Sequence, residues 1–184
     1  YYDGDCVVPG VTTVIERVCQ YFASVPDAYL IPAQKRGTAV HLATELYDLG
    51  TLDEDQLDPV LEPYLEAWKL FLHDTSFEPD RIEQRIYNHK LRYAGTLDRA
   101  GMITWKKARR RAIVDIKTGA PVRSTALQTA AYQKGLEVDL NDAIKTRLSV
   151  HLQPNKTFKV IEYNNPSDMR VFTAMLTSYR WMEN

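Results

Sequence analysis

The sequence RAIVDIKTG, residues 111–119, decides the fold and raises the question of function. It is an apolar run, typical of a buried β-strand, that carries an aspartate and a lysine two residues apart. Because side chains two apart in a strand point to the same face, Asp115 and Lys117 are expected to lie side by side near the strand end. Three apolar residues are expected to point the other way, into the core: Ala112, Val114 and Ile116.

The composition predicts one globular domain. The chain has 184 residues, of which 45% are hydrophobic and 26% are charged, enough for a substantial core. We expect a single domain over residues 1–184, with a helical part at about 11–75 and the sheet with its helices at about 80–182. Cys6 and Cys19 are too few for an iron–sulfur cluster or a four-thiolate zinc site, and we interpret both as structural thiols. No apolar run reaches the roughly 18 residues of a membrane span, so no membrane partner is predicted.

The net charge of −1 conceals a local basic segment. The connection WKKARRR, residues 105–111, precedes the strand that carries Asp115. Its cations could hold a DNA backbone, with an aromatic ring as a stacking platform. The residues proposed for this role are Trp105, Lys106, Lys107 and Arg109. The alternative is a solvated hairpin turn, and the sequence leaves both open.

The rest of the pattern predicts an α/β fold. Apolar periodicity and capping residues predict helices at residues 12–22, 34–49, 57–72, 124–135 and 166–182. Strand-like runs occur at residues 81–88, 93–103, 111–118, 146–152 and 157–163. Helices, three strands, a helix, two strands and a helix together predict a central mixed β-sheet flanked by helices on both faces.

A second aspartate, Asp98, lies within the second predicted strand. If that strand pairs with the third, Asp98 and Asp115 face each other on one side of the sheet. Two carboxylates this close repel unless a cation lies between them, and Mg²⁺ or Mn²⁺ prefers oxygen ligands. Lys117 could then orient or deprotonate a water molecule, or neutralise developing charge. The alternative is a surface ion pair between Asp115 and Lys117, with Asp98 in a turn.

Two helices carry polar pairs four residues apart, which places each pair on one helix face. Gln128 and Tyr132 form one pair, and His41 and Glu45 form the other. Each pair alone is ordinary for a helix surface. Their order along the chain, with the two aspartates and the lysine, is more specific.

In that order the chain resembles the RecB-like branch of the PD-(D/E)XK nucleases, including its phage and mitochondrial exonucleases. The resemblance runs from about Val11 to Trp181. It rests on five motifs: GTAVH (residues 37–41), Glu83 in RIEQRI, GTLD (95–98), DIKT (115–118) and QTAAY (128–132). The resemblance implies a restriction-endonuclease-like core and a metal-dependent deoxyribonuclease, most closely an exonuclease, that hydrolyses phosphodiester bonds from DNA ends in recombination, repair or replication.

The resemblance also implies roles for particular residues. The implied metal ligands are His41, Asp98, Asp115 and the backbone carbonyl of Ile116. Lys117 would be the catalytic lysine, and Gln128 and Tyr132 would position the scissile phosphate or that lysine. Glu83 would assist a second metal or be a strand-edge acid, and Glu45 is a weaker candidate. One or two ions of Mg²⁺ or Mn²⁺ are expected, since a histidine beside carboxylates suits Mn²⁺ as well.

The implied partners are DNA ends, single-stranded or resected, and proteins of recombination or replication. The expected compartment is the cytoplasm of a bacterium or a phage-infected cell, with the mitochondrion as the alternative. A structure-specific or flap endonuclease with the same active site, and a catalytically inactive DNA-binding module of this fold, are the alternative functions.

Overall fold

The chain folds around a mixed β-sheet, shown by a computed structural model that describes residues 1–3, 6–20, 25–140 and 143–183. Within these residues the strands are β1 (Tyr2–Asp3), β2 (Cys6–Val7), β3 (Glu78–Asn88), β4 (Tyr93–Trp105), β5 (Ala108–Lys117), β6 (Thr146–Leu152) and β7 (Phe158–Glu162). The α-helices are α1 (Val11–Cys19), α2 (Asp27–Asp48), α3 (Glu62–Thr75), α4 (Thr125–Leu140) and α5 (Asp168–Glu183).

The main sheet has the strand order β3-β4-β5-β6-β7, while β1 and β2 form a separate small sheet. Strands β5 and β6 are parallel, and the other neighbours are antiparallel. Parallel neighbours need a crossover connection, which α4 provides. The predicted α/β fold, a mixed sheet flanked by helices on both faces, is confirmed.

Two apolar clusters lie on opposite faces of the sheet. Helices α1, α4 and α5 pack on the first face, which we call the α4 face, and α2 and α3 pack on the other, the α3 face. Strand β5 shows the alternation directly, because Ile113 belongs to the α4 face. The opposite apolar residues belong to the α3 face, as expected from the sequence: Ala112, Val114 and Ile116. Asp115 and Lys117 therefore lie on the α4 side of the strand.

Two helix starts differ from the sequence prediction for physical reasons. Helix α2 begins at Asp27 and continues through Pro32, although its predicted start was residue 34. A proline removes one backbone hydrogen bond, and the flanking turns of this long helix tolerate the loss. Helix α3 begins only at Glu62 because Pro63 occupies its first turn, where a missing amide costs nothing. The predicted end of the first helix, residue 22, lies outside the described residues.

One cysteine and the apolarity of the helices can be described. Cys19 is a free cysteine that packs against the apolar cluster of the α4 face. Among the described segments, no helix combines the length and apolarity that a membrane span needs.

Aromatic packing holds α3 against the sheet. Phe71 is fully buried and stacks on Trp68 with ring centres 5.3 Å apart. It also contacts Phe77 and Phe158 at 5.8 Å and 5.5 Å between ring centres. This cluster ties α3 to β7 at one end of the sheet.

We predict that Phe71→Ala lowers the free energy of unfolding by about 3–5 kcal/mol, because it removes buried ring contacts and leaves a cavity. Leu70→Ala on the same helix is the matched control, since Leu70 is 40% exposed and should cost under about 1 kcal/mol. Urea denaturation followed by circular dichroism measures both. Equal losses for the two variants would contradict this account of the core.

Candidate active site

Three neighbouring strands place one acidic residue each in a single row across the sheet. Strands β3 and β4 pair Ile82 with Arg99 and Gln84 with Leu97, so Glu83 and Asp98 face each other between these pairs. Strands β4 and β5 pair Arg99 with Val114, and the next position in this register aligns Asp98 with Asp115. The expected opposition of the two aspartates is therefore present, and Glu83 extends the row.

The ladder between β4 and β5 ends at this row, and Asp98 bridges the separating strands. Its Oδ2 accepts a hydrogen bond from the backbone amide of Ile116 at 2.7 Å. A carboxylate thus replaces a backbone carbonyl as the partner of this amide. The bond fixes Asp98 at the fork between the strands and brings the Ile116 backbone to the site, whereas the role of the Ile116 carbonyl as a metal ligand stays a prediction.

Helix α2 adds His41 to this row. One ligand atom each from His41, Glu83 and Asp98 lies within 4.8 Å of the others, a spacing that can hold a metal ion. His41 Nδ1 and Asp98 Oδ1 lie 3.7 Å apart. We call these three residues the acidic cluster. Sequence reasoning expected Asp115 as the third ligand and left Glu83 open, whereas the compact group contains Glu83.

The backbone of Glu83 is strained. Its φ of 46° lies in the left-handed region, in the middle of a β-strand. A non-glycine residue adopts this conformation at a cost of about 1–3 kcal/mol, and such residues concentrate at functional sites. Nothing in the sequence RIEQRI signals this kink, so the position of the Glu83 carboxylate was not predictable.

Asp115 and Lys117 form the second half of the site. Lys117 Nζ lies 2.8 Å from Asp115 Oδ2, as expected for residues two apart on one strand face. The Asp115 side chain is 1% exposed, and its Oδ1 has no hydrogen-bond partner among the described residues. A buried carboxylate oxygen without a partner costs free energy. A divalent cation beside the acidic cluster would satisfy it, so these residues fit a metal.

Helix α4 holds the lysine from the other side. Lys117 Nζ donates to Gln128 Oε1 at 3.4 Å, and Gln128 Nε2 donates to the Tyr132 hydroxyl at 3.1 Å. Tyr132 is buried and packs over Gly95, where a side-chain Cβ would come within 2.7 Å of the tyrosine ring. The glycine of GTLD therefore makes room for the tyrosine of QTAAY. Gln128 thus contacts the lysine directly and Tyr132 contacts it through Gln128, while their predicted role in positioning the lysine or the scissile phosphate stays a prediction.

The pKa values of Asp115, Glu83 and Lys117 are all raised in the folded chain. Burial raises the pKa of Asp115 to about 6, with the nearby Asp98 adding to the shift and Lys117 opposing it. Burial also raises the pKa of Glu83, and the charge of Asp98 adds to this. Burial lowers the pKa of Lys117, but the carboxylates of Asp115 and Asp98 outweigh burial and leave that pKa raised. Lys117 is therefore an ammonium group at neutral pH.

A chain of hydrogen bonds lies beside Lys117 on strand β6. His151 Nδ1 donates to the carbonyl of Gly119, 2.9 Å away, because a carbonyl can only accept. Ser149 Oγ lies 3.0 Å from His151 Nε2 and 2.9 Å from the Tyr163 hydroxyl. Sequence reasoning did not single out these residues. They hold the loop that comes after the lysine.

The structure does not bring the basic hairpin to this site. Trp105 pairs with Ala108 at the turn, seven residues along β4 from Asp98, which is about 23 Å at the rise of a strand. Trp105 is partly buried against the apolar cluster of the α3 face. Lys106 pairs with Glu162 and Arg109 with Glu78. The hairpin is therefore distant from the acidic row, and DNA binding by Trp105, Lys106, Lys107 and Arg109 stays a prediction.

One further candidate from the sequence and one ion pair that was not predicted lie near the cluster. Glu45 lies on α2 outside the acidic cluster. Arg99 and Asp48, which the sequence did not single out, form a buried ion pair directly beneath the cluster, with a distance of 2.6 Å between Arg99 Nε and Asp48 Oδ2. Only the fold reveals this pair, because the two residues are far apart in the sequence.

Comparison with known proteins supports the fold. A protein from Eubacterium rectale, named "Putative exonuclease", has a similar crystal structure with a TM-score of 0.55 and 11% sequence identity. The likeness is in the fold. It covers 80% of this chain, which spans 65% of the length of that protein. Neither models of protein families nor curated protein sequences gave a match.

We predict that Gly95→Ala destabilises the chain by about 1–3 kcal/mol, because the new methyl group collides with the Tyr132 ring. Gly119→Ala is the control, since an added Cβ there meets no atom within 4 Å. Thermal unfolding measures both. An unchanged melting temperature for Gly95→Ala would show that Tyr132 is not held against this glycine.

We predict that Asp115 makes a contribution to the stability of the metal-free protein that is lost as pH rises from about 4 to about 6. The pKa of Asp115 is about 6 in the folded chain and about 3.9 when unfolded. Between these values the folded state binds more protons, so raising the pH favours unfolding, by up to about 3 kcal/mol.

The variant Asp115→Asn removes this contribution. Its unfolding free energy minus that of the wild type should grow between pH 4 and 6 and level off above, in urea denaturation with EDTA. Carboxylates remote from Asp115 titrate equally in both proteins and cancel in the difference. A difference that stays flat across this range would contradict the buried, unpaired state of Asp115.

Proposed function

We propose that this chain is a metal-dependent DNA exonuclease that hydrolyses phosphodiester bonds from DNA ends. The observation that carries the proposal is the Asp115–Lys117 ion pair directly beside the acidic cluster of His41, Glu83 and Asp98. A cation site and an ammonium group next to each other can bind an anionic ester and a water molecule together. The Mg²⁺ or Mn²⁺ ion bound there would supply Lewis-acid activation of the water and of the phosphate.

The residues of the chain divide the remaining work. The acidic cluster and Asp115 would hold one or two ions, since their carboxylates offer more oxygen atoms than a single ion needs from protein. Lys117, as an ammonium group, would bind a phosphate oxygen and neutralise charge in the transition state. Gln128 and Tyr132 would restrict the lysine to one orientation. Asp115 would keep Lys117 protonated until the substrate phosphate replaces that contact.

DNA as the substrate is supported by the order of the five motifs and by the fold shared with a protein named for exonuclease activity. Assignment to the RecB-like branch rests on those motifs. Single-stranded or resected ends, partner proteins of recombination or replication, and the predicted compartment belong to the proposal on the same grounds.

The test is digestion of end-labelled DNA with Mg²⁺, with Mn²⁺ or with EDTA. We expect nucleotides to be released from linear DNA with either metal and not with EDTA. Lys117→Ala and Asp115→Asn should each lower the rate by at least about 100-fold, because each removes a group that acts on the reacting phosphate. Lys90→Ala is the control, since this exposed lysine lies in the turn after β3, seven residues along the chain from Glu83.

Closed circular DNA separates the exonuclease from an endonuclease. Rapid loss of closed circles would overturn the exonuclease assignment while leaving a nuclease. Cleavage that persists unchanged in Lys117→Ala and Asp115→Asn would contradict the active site. DNA binding without any cleavage would favour an inactive binding module.

A further inference from the structure

Arg99 is a buried cation directly beneath the acidic cluster. Its side chain is fully buried, and its guanidinium carbon lies 5.9 Å from the ring centre of Trp68. Its Nε donates to Asp48 Oδ2 at 2.6 Å, and Nη1 donates to Glu83 Oε1 at 2.9 Å. Nη1 also donates to the backbone carbonyl of Asp98 at 2.7 Å. Nη2 donates to Thr44 Oγ1 at 3.3 Å, so four of its five N–H donors are used.

These contacts join the three elements that supply the acidic cluster. Asp48 and Thr44 lie on α2, the helix that carries His41. Glu83 lies on β3 and Asp98 on β4. One guanidinium group therefore ties together the helix and both strands whose side chains converge on the cation site.

Asp48 and Glu83 both accept hydrogen bonds from Arg99, but they differ in how many of their oxygen atoms the protein occupies. Both Asp48 oxygens are occupied, since Oδ1 accepts from Trp68 Nε1 at 2.9 Å and Oδ2 accepts from Arg99. Asp48 is thus an anchor for Arg99 and not a ligand. Glu83 gives Oε1 to Arg99, and its Oε2 makes no hydrogen bond within the described part of the chain. One Glu83 oxygen is held by the protein, and the other is left for a cation.

We propose that Arg99 is a positioning residue that holds Glu83 and Asp98 in the arrangement that binds the metal, with Asp48 as its anchor. This inference rests on the proposed function. The rigid, planar guanidinium group of arginine can donate hydrogen bonds to several acceptors at once. The ammonium group of lysine is a compact point charge on a flexible stem and cannot replace this geometry. Partners that orient metal ligands typically change metal affinity by 10–100-fold when they are removed.

The test is titration of the metal-free protein with Mn²⁺, in the absence of DNA, by isothermal calorimetry and electron paramagnetic resonance. Arg99→Lys keeps the charge and should weaken Mn²⁺ binding by about 10–100-fold. The matched control is Arg147→Lys, another buried arginine. Arg147 pairs with Asp168 at 2.8 Å and donates to the carbonyl of Ala126 at 2.8 Å. The Arg147→Lys variant should be less stable than the wild type but should keep its Mn²⁺ affinity. All titrations are made at a temperature where every variant is folded.

Asp48→Asn is a second variant in case Arg99→Lys does not fold. It can keep the hydrogen bond from Trp68 and removes the charge that anchors Arg99, so Mn²⁺ binding should weaken by about tenfold. Wild-type Mn²⁺ affinity in both Arg99→Lys and Asp48→Asn would overturn the inference about Arg99. An equal loss of Mn²⁺ affinity in Arg147→Lys would overturn it too. Either result would leave the proposed function standing. Failure of the wild type to bind Mn²⁺ would instead overturn the metal site of the proposed function, and the inference with it.

Discussion

Repulsion among carboxylates in one row is the constraint on which the rest of the site depends. Glu83, Asp98 and Asp115 occupy facing positions on three adjacent strands, where like charges oppose one another in a medium of low dielectric. A cationic side chain at each end of the row partly neutralises the negative charge of these carboxylates. Arg99 lies beneath Glu83, and Lys117 lies against Asp115. The buried Asp115 Oδ1 has no hydrogen-bond partner among the described residues. A bound metal ion would satisfy this oxygen atom.

The fold delivers this arrangement by separating two strands. Strands β4 and β5 pair up to Arg99 and Val114 and then diverge, with the Asp98 carboxylate bonded to the Ile116 amide in the gap. Helix α2 reaches the same gap with His41, and α4 covers the lysine with Gln128. The apolar side chains of β5 are buried on both faces of the sheet, which fixes the strand that carries Asp115. The end of β5, packed between α2 and α4, thus holds carboxylates close together although they repel one another.

Periodicity and the order of neighbouring strands made half of the site predictable from the sequence. Alternation placed Asp115 beside Lys117, strand order placed Asp98 opposite Asp115, and helical spacing placed Gln128 with Tyr132. Features that depend on a single backbone angle, or on packing between distant segments, were not predictable. The left-handed φ of Glu83 has no signal in its neighbours. The Asp48–Arg99 pair joins residues that are 51 positions apart, and the distance of the basic hairpin from the site depends on the register of two long strands.

The most direct test of the central claim is the anomalous diffraction of crystals soaked in Mn²⁺. We expect a peak in contact with His41, Glu83 and Asp98, in the row that Asp115 continues on β5. Soaked crystals of Asp98→Asn should lose or weaken this peak, since Asp98 is the central carboxylate of the row and a member of the acidic cluster. Absence of any peak at the row, or a peak that is unchanged in Asp98→Asn, would contradict the claim that these carboxylates exist to hold a metal ion.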